Sequence, residues 1–285
     1  GLFARGSHTV VAVPRCRVHH PKINEAMELL EKQLRGHGAL SAYDESSGEG
    51  MLRYVQASVH RASGRVQLTL VINADGPNRW VRRFATRLWQ QGDARRTWHS
   101  IWINLNTART NAIINYAPEA WLRLLGDEML IEQFASGAAV ALPPYVFRQP
   151  NLDGFDGVVA SVSRLVPPNS RVVEWYSGVG VLGLAIALSN DVNVEWVRCS
   201  DVNTLLAEPF DIGRAMLPKE AQNRVSFVVG SAVERLCDAK DATVAIVDPP
   251  RKGLDQALLK ALCDNYIDDG VDHSGRINND SGGRG

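Results

Sequence analysis

Arg171-Val172-Val173-Glu174-Trp175-Tyr176-Ser177-Gly178-Val179-Gly180-Val181-Leu182-Gly183 is the stretch on which the architecture turns. Its apolar, β-branched start, Arg171 to Trp175, reads as a buried strand. Gly178, Gly180 and Gly183 follow at the G-x-G-x-x-G spacing, and the apolar run Gly180 to Leu188 reads as a helix. Glycines let a chain turn sharply, approach a ligand closely and pack a helix on a strand. The spacing alone suits a ligand-free turn equally well. A strand before it, a helix after it and an acid, Asp201, about 20 residues on are the setting of a cofactor loop.

The surrounding pattern alternates. Asp153 to Leu165 reads as a helix, Val194 to Cys199 as a strand and Thr204 to Met216 as a helix. Val225 to Val229 (strand), Val233 to Asp238 (short helix), Ala242 to Val247 (strand) and Leu254 to Asn265 (helix) complete it. Alternating strands and helices imply a parallel, doubly wound sheet, so this half is α/β and Rossmann-like. Asp201, at the second strand's end, has two readings: a carboxylate for a ribose, or an N-cap of the next helix.

Val244-Ala245-Ile246-Val247-Asp248-Pro249-Pro250-Arg251-Lys252-Gly253 ends the fourth strand at two prolines, which cannot donate to a ladder. Asp248 thereby stands at a strand's carboxyl end, where open α/β sheets place ligands. An acid, a rigid turn and an Arg there suit a planar polar group such as a nucleobase. The plainer reading is a proline turn with Arg251 paired to a surface acid. Two cofactors fit the loop. NAD places pyrophosphate at a helix N-terminus, but Glu174 would repel it. S-adenosylmethionine carries an ammonium that Glu174 could orient through water, which favours S-adenosylmethionine. An NAD-dependent oxidoreductase is the alternative.

The upstream half mixes hairpins and helices and reads as α+β. Pro21 to Gly36 and Arg79 to Gln90 have helical spacing; Leu52 to Val59 and Arg65 to Ile72 alternate around Ser63-Gly64, a hairpin signal. Trp98 to Leu105 and Asn111 to Tyr116 read as a further strand pair. Glu119 to Leu125, after Pro118, reads as a short helix.

The chain has 285 residues, 45% of them hydrophobic, and a formal net charge of +0. A nucleic-acid partner would therefore need a local patch. Arg79, Arg82, Arg83 and Arg87 recur at helical spacing, followed by Arg95 and Arg96. They read as phosphate contacts or as a solvated helix face. Cys16, Cys199, Cys237 and Cys263 form no C-x-x-C pair. That argues against a disulfide framework or self-contained zinc site and suits an intracellular, reducing compartment. No apolar run nears the ~18 residues of a membrane span. Gly1-Leu2-Phe3 is not an initiator sequence, and the polar segment from Asp268 to Gly285 is expected to be disordered. A monomer is expected.

Asp248-Pro-Pro-Arg-Lys-Gly253 together with Glu174-Trp-Tyr-Ser-Gly-Val-Gly180 resembles the RNA 5-methyluridine (uracil-C5) methyltransferase family, which methylates uracil C5 in rRNA or tRNA. Gly1 to Val11, Pro14-Arg-Cys16-Arg-Val-His-His-Pro21, His99-Ser-Ile-Trp-Ile-Asn104 and Tyr145-Val-Phe147-Arg-Gln149-Pro-Asn151 resemble its central domain. The resemblance runs from residue 1 to about 262. It implies a central domain over 1–150, an incomplete methyltransferase domain over 151–266 and a tail over 267–285.

By the same resemblance, Gln149, Tyr176, Gly178 and Gly180 contact S-adenosylmethionine, Asp201 takes the ribose position, and Asp248 is the catalytic acid near cofactor and uracil. Ser177 stands where many members have Cys. Cys16 resembles the last of four cysteines that hold a 4Fe–4S cluster in many members; the other three would precede Gly1. The family's nucleophile is a Cys thiolate that adds to uracil C6, on a strand after the Asp-Pro-Pro-Arg helix. Here that region turns polar and glycine-rich, and Cys263 falls too early. Neither nucleophile nor general base is assigned. A catalytically inactive RNA-binding homologue is thus a further alternative. The target uridine would be flipped out of its RNA.

Overall fold

The computed structural model describes residues 2–36, 40–91, 96–110 and 112–268. Two-residue strands β1 (Leu2–Phe3) and β2 (Val10–Val11) pair antiparallel. There follow α1 (Pro21–Arg35), β3 (Leu52–Val59), β4 (Val66–Ile72), α2 (Arg79–Gln91), β5 (Trp98–Leu105) and β6 (Trp121–Gly126). The four strands form a sheet ordered β3-β4-β5-β6. β3 and β4 are the expected hairpin, turned at Gly64 with φ 67. β4 and β5 run parallel, a pairing that needs a crossover, and α2 supplies it.

Strand alternation gives this sheet two unlike faces. Val66, Leu68, Leu70, Ile72, Ile101 and Ile103 point to the helices and pack with Ala26 and Leu30 of α1 and Val81, Phe84 and Leu88 of α2. Gln67, Thr69, Ser100, Trp102 and Asn104 share the other parity and are also buried. Gln67 Nε2 donates to the Leu142 carbonyl at 3.2 Å and Gln56 Nε2 to that of Pro144 at 3.0 Å. The segment around Leu142 and Pro144, which packs with the core of the parallel-sheet half, therefore docks on the polar face.

Two expectations fail beside β5. Residues 112–116 form no strand, and Asn111 lies outside the described residues. Asn104 instead grips Asn115 through Nδ2 to its carbonyl (2.7 Å) and Oδ1 from its amide (3.0 Å). The helix expected at Glu119 to Leu125 is one 3₁₀ turn, Pro118–Ala120, followed by β6. The open edge of β5 offers a ladder of backbone partners that a short helix does not, and pairing overrides local propensity.

A hairpin of β7 (Leu130–Gln133) and β8 (Ala139–Leu142), which the sequence reading missed, turns at Gly137 with φ 89. Then come α3 (Leu152–Leu165), β9 (Arg171–Trp175), α4 (Val181–Leu188), β10 (Trp196–Asp201), α5 (Ala207–Ala215), α6 (Lys219–Arg224), β11 (Val225–Val229), β12 (Val244–Val247) and α7 (Gln256–Asp268). The sheet is all parallel, ordered β11-β10-β9-β12, and the α/β, Rossmann-like expectation holds. Thr204 to Met216 opens as a 3₁₀ turn, Thr204–Leu206, before α5, and Val233 to Asp238 is a run of turns ending in a 3₁₀ segment, Leu236–Ala239. α6 was not anticipated.

One face of this sheet carries Val172, Val197 and Cys199 against α3, α4 and α5, a core that also takes Leu130, Phe134, Val140 and Leu142 from the hairpin. The other carries Val173 and Trp175 against Leu258 of α7. Arg95 and the residues after Asp268 lie outside the described residues, with the expectations placed on them. Among the described residues no helix is long and apolar enough to cross a membrane.

Candidate functional site

The site is built at the carboxyl ends of β9, β10 and β12. Alternation along β9 turns Val172 and Glu174 towards α4 and Val173 and Trp175 away from it. Glu174 is thereby buried under the glycine loop, 3% exposed. Its Oε2 accepts the Gly183 amide at 2.8 Å and the Cys199 thiol at 3.3 Å. A Cβ at residue 183 would overlap Cys199 Sγ and lie 2.6 Å from that same Oε2. The third glycine is thus what admits a buried acid beneath the helix start. Burial pushes the Glu174 carboxyl up to about 7, against the pull of its two hydrogen bonds. Burial also pushes the Cys199 thiol well up, so Cys199 is no thiolate.

Above Glu174 the loop is left-handed at three residues: Tyr176 (φ 59), Gly178 (φ 56) and Gly180 (φ 76). At Tyr176, which has a Cβ, this conformation stores strain of the kind that gathers at ligand sites. A Cβ on Gly180 would strike Phe210, whereas one on Gly178 would meet nothing within 4 Å. The crest of the loop is therefore open. Asp201 faces it: Oδ2 accepts the Gly178 amide at 3.0 Å and Oδ1 the Asn203 amide at 3.0 Å. The N-cap of the following 3₁₀ turn is Asn203, whose Oδ1 accepts the Leu205 amide.

Asp248 follows β12, whose Val247 is in register with Trp175, so the exposed Asp248 stands at the same sheet end as the loop that opens at Tyr176. The turn after it closes through the Gly253 amide on the Pro250 carbonyl at 2.8 Å, with Gly253 at φ 82. Lys252 pairs with Asp255, and Arg251 makes no ion pair among the described residues.

Gln149 lines a cleft of about 1090 Å³ between the two domains. Gln56 and Ser58 of β3 with Gln67 and Trp121 form one wall, which continues around the β3 edge at Val55, Ala57 and Val59; the 143–153 segment forms the other, and Asn203 reaches it from the Asp201 turn. The structure thus joins the loop, Asp201 and Asp248 at one sheet end, with Gln149 in the adjoining cleft.

A cluster unseen in the sequence fixes that cleft. Glu132, 1% exposed, accepts Arg61 Nε at 3.0 Å and Arg148 Nη2 at 2.8 Å. Arg61 also reaches Asp156 (2.6 Å), Asp153 (3.0 Å) and the Gln133 carbonyl, and Arg148 donates to the Val59 carbonyl at 2.7 Å. Arg148 immediately precedes Gln149. No local pattern flags these residues, which lie up to 95 positions apart.

Cys16 lies apart from the site, its carbonyl accepting Asn24 Nδ2. Cys237 and Cys263 are exposed, Cys263 on α7. Among the described residues no three His, Cys, Asp or Glu side chains gather as a metal site. No cysteine among the described residues lies on the strand and turn that carry Asp248, 244–253.

No protein-family model matches the chain. An uncharacterised RNA methyltransferase of Protochlamydia amoebophila is 35% identical over 271 residues, covering 94% of this chain and 68% of that protein. An uncharacterised RNA methyltransferase of Parasynechococcus marenigrum is 26% identical over 272 residues, 92% of this chain and 54% of its own length. The chain thus spans between about half and two thirds of these relatives. The fold is similar to that of the Pyrococcus abyssi tRNA (uracil-54, C5)-methyltransferase, crystallised with S-adenosyl-L-homocysteine. That match has a TM-score of 0.70 at 22% identity and covers 89% of this chain and 57% of the other.

Proposed function

The chain belongs to the RNA methyltransferase family, and from this we propose that the protein transfers a methyl group from S-adenosylmethionine to uracil C5 of a structured RNA. The observation that carries the proposal is the meeting of the Gly178–Asp201 pair and Asp248 at one sheet end, beside the cleft that holds Gln149. Membership of the family favours methyl transfer over the hydride transfer of an NAD enzyme.

The residues fit the cofactor. Each Asp201 oxygen spends one lone pair on a backbone amide and keeps another, enough for the two hydroxyls of a ribose. Space is open over Gly178, and Glu174 holds the loop from below. When bound, S-adenosylmethionine supplies an electrophilic methyl on a sulfonium. Gln149 would contact it from the cleft, and Tyr176 and Gly180 shape its loop. Asp248 would accept a ring N–H of the base and fix the orientation of its ring. The uridine must leave its stack to enter the cleft. Among the described residues no cysteine gathers with Cys16, so these residues by themselves do not fit an iron–sulfur cluster, and no step runs through one.

The absence of a thiol beside Asp248 among the described residues favours a second reading, a catalytically inactive RNA-binding homologue. Two measurements separate these. Calorimetry on this chain should show S-adenosylmethionine binding; binding of NAD in its place would overturn the cofactor assignment. The full reading frame, incubated with tRNA and rRNA transcripts, should yield 5-methyluridine by mass spectrometry of the nucleosides. A methyl group on another base would remove the C5 assignment, and none at all would favour the inactive homologue.

A further inference from the structure

The arginines of α2 have no role in the cleft. Arg79, Arg82, Arg83 and Arg87 lie along one exposed face of the helix, opposite Val81, Phe84, Ala85 and Leu88, which are buried. At 1.5 Å per residue they form a row about 12 Å long. α2 contains no acid, so it carries four positive charges in a chain whose net charge is +0. The acids of the neighbouring helix are engaged elsewhere. Glu25, Glu28 and Glu31 of α1 are already paired, with Lys22, Arg15 and Arg35. Arg79, Arg82 and Arg83 make no ion pair among the described residues, and Arg79 lies over the half-exposed Trp80 ring at 4.7 Å.

α2 packs over β5 and β6 on the apolar face of its sheet, whereas the cleft runs along the polar face and around the β3 edge. One sheet and one helix layer, roughly 20 Å, separate the outer face of α2 from the polar-face wall of the cleft. We propose that the arginine face of α2 is a second RNA-docking surface, remote from the cleft, that holds the phosphate backbone of the same structured RNA. The inference rests on the RNA methyltransferase reading and deepens it. Three of these guanidinium groups, those of Arg79, Arg82 and Arg83, make no ion pair among the described residues and match a polyphosphate by charge and by bidentate geometry. Its distance from the cleft selects an RNA large enough to reach both faces over a free nucleoside. Contacts of this kind add affinity without sequence choice.

The test compares the protein with the variant Arg79→Gln/Arg82→Gln/Arg83→Gln, measuring affinity for an in vitro transcribed tRNA across a salt series. Each lost phosphate contact should flatten the plot of log affinity against log salt by about 0.7 to 0.9, so the triple variant should lose a slope of about 2 to 3. At 50 mM salt its affinity should fall about tenfold or more. The Arg→Lys triple should keep most of the slope, and S-adenosylmethionine affinity should be the same in all three proteins. If the Gln triple melts early, the single Gln variants carry the test, each with its own loss of slope. Unchanged affinity and slope would overturn the docking surface and leave the methyltransferase reading standing. Equal binding of polyglutamate and tRNA by the native protein would overturn the choice of RNA. Failure of the native protein to bind tRNA would overturn the surface together with the RNA-substrate reading.

Discussion

The Gly178 amide donates to Asp201 Oδ2 at 3.0 Å, tying the crest of the glycine loop to the end of the next strand across 23 residues. The carboxylate both shapes the loop and presents the lone pairs proposed for a ribose. Asp201→Ala should weaken S-adenosylmethionine binding about 10- to 100-fold, the scale of one or two lost charge-assisted hydrogen bonds. Asp201→Asn, which keeps an acceptor for Gly178, should fall between the two in calorimetry. Native affinity in the alanine variant would exclude Asp201 from the cofactor site.

Glu174 makes stability depend on pH. The folded protein holds its proton up to about pH 7, whereas the carboxyl ordinarily loses it near 4.5. Between these values the folded state binds more protons, so this group's contribution falls as pH rises from about 4.5 to 7. Glu174→Gln removes it. The melting temperature of the variant minus that of the native protein should therefore climb over that window and level off above it. A difference flat with pH would show that Glu174 ionises as an ordinary carboxyl.

Gly183→Ala forces a methyl group against Cys199 Sγ and Glu174 Oε2. Overpacking of this kind costs about 1–3 kcal/mol. Adding Cys199→Ala removes one of the two obstacles and should restore part of the loss in urea unfolding. Additive penalties would place the strain elsewhere.

Glu132→Ala should be among the most damaging single changes, about 3–5 kcal/mol, because it leaves Arg61 and Arg148 without their shared buried carboxylate. Glu132→Gln, which keeps an acceptor of the same shape, should cost less. Denaturant midpoints of the two variants check the order.

RNA containing 5-fluorouridine should form no covalent adduct with this chain, since no cysteine of the described structure stands beside Asp248. Denaturing electrophoresis reads the outcome. A stable adduct would identify Cys16, Cys237 or Cys263 as a nucleophile brought to the base.

What the sequence disclosed follows the range over which each signal acts. The strand Arg171–Trp175 ends where its apolar run ends, because a buried parallel strand writes its own limits in β-branched residues, and Val225–Val229, half-exposed at the sheet edge, is bounded by the same kind of run. The glycine loop, Asp201 and Asp248 were readable because they sit at such ends. The segment after Pro118 was misread: Trp-Leu-Arg-Leu-Leu alternates well enough for either element, and the open edge of β5 decides the matter. Glu174 was legible as a strand-end acid, but its burial under Gly183 needed the direction of the side chain. The Arg61–Glu132–Arg148 cluster left no trace, since its members come together only in three dimensions.

That cluster also determines which party must deform. Arg61 and Arg148 clamp the β3–β4 turn, the β7–β8 hairpin, α3 and the residue before Gln149 into one charged knot, and breaking it costs several kcal/mol. A cleft with walls so joined has little freedom to close around its occupant. The shape is offered ready-made, and the work of distortion passes to whatever enters it: an RNA has to unstack and turn out its base to meet the walls where they stand.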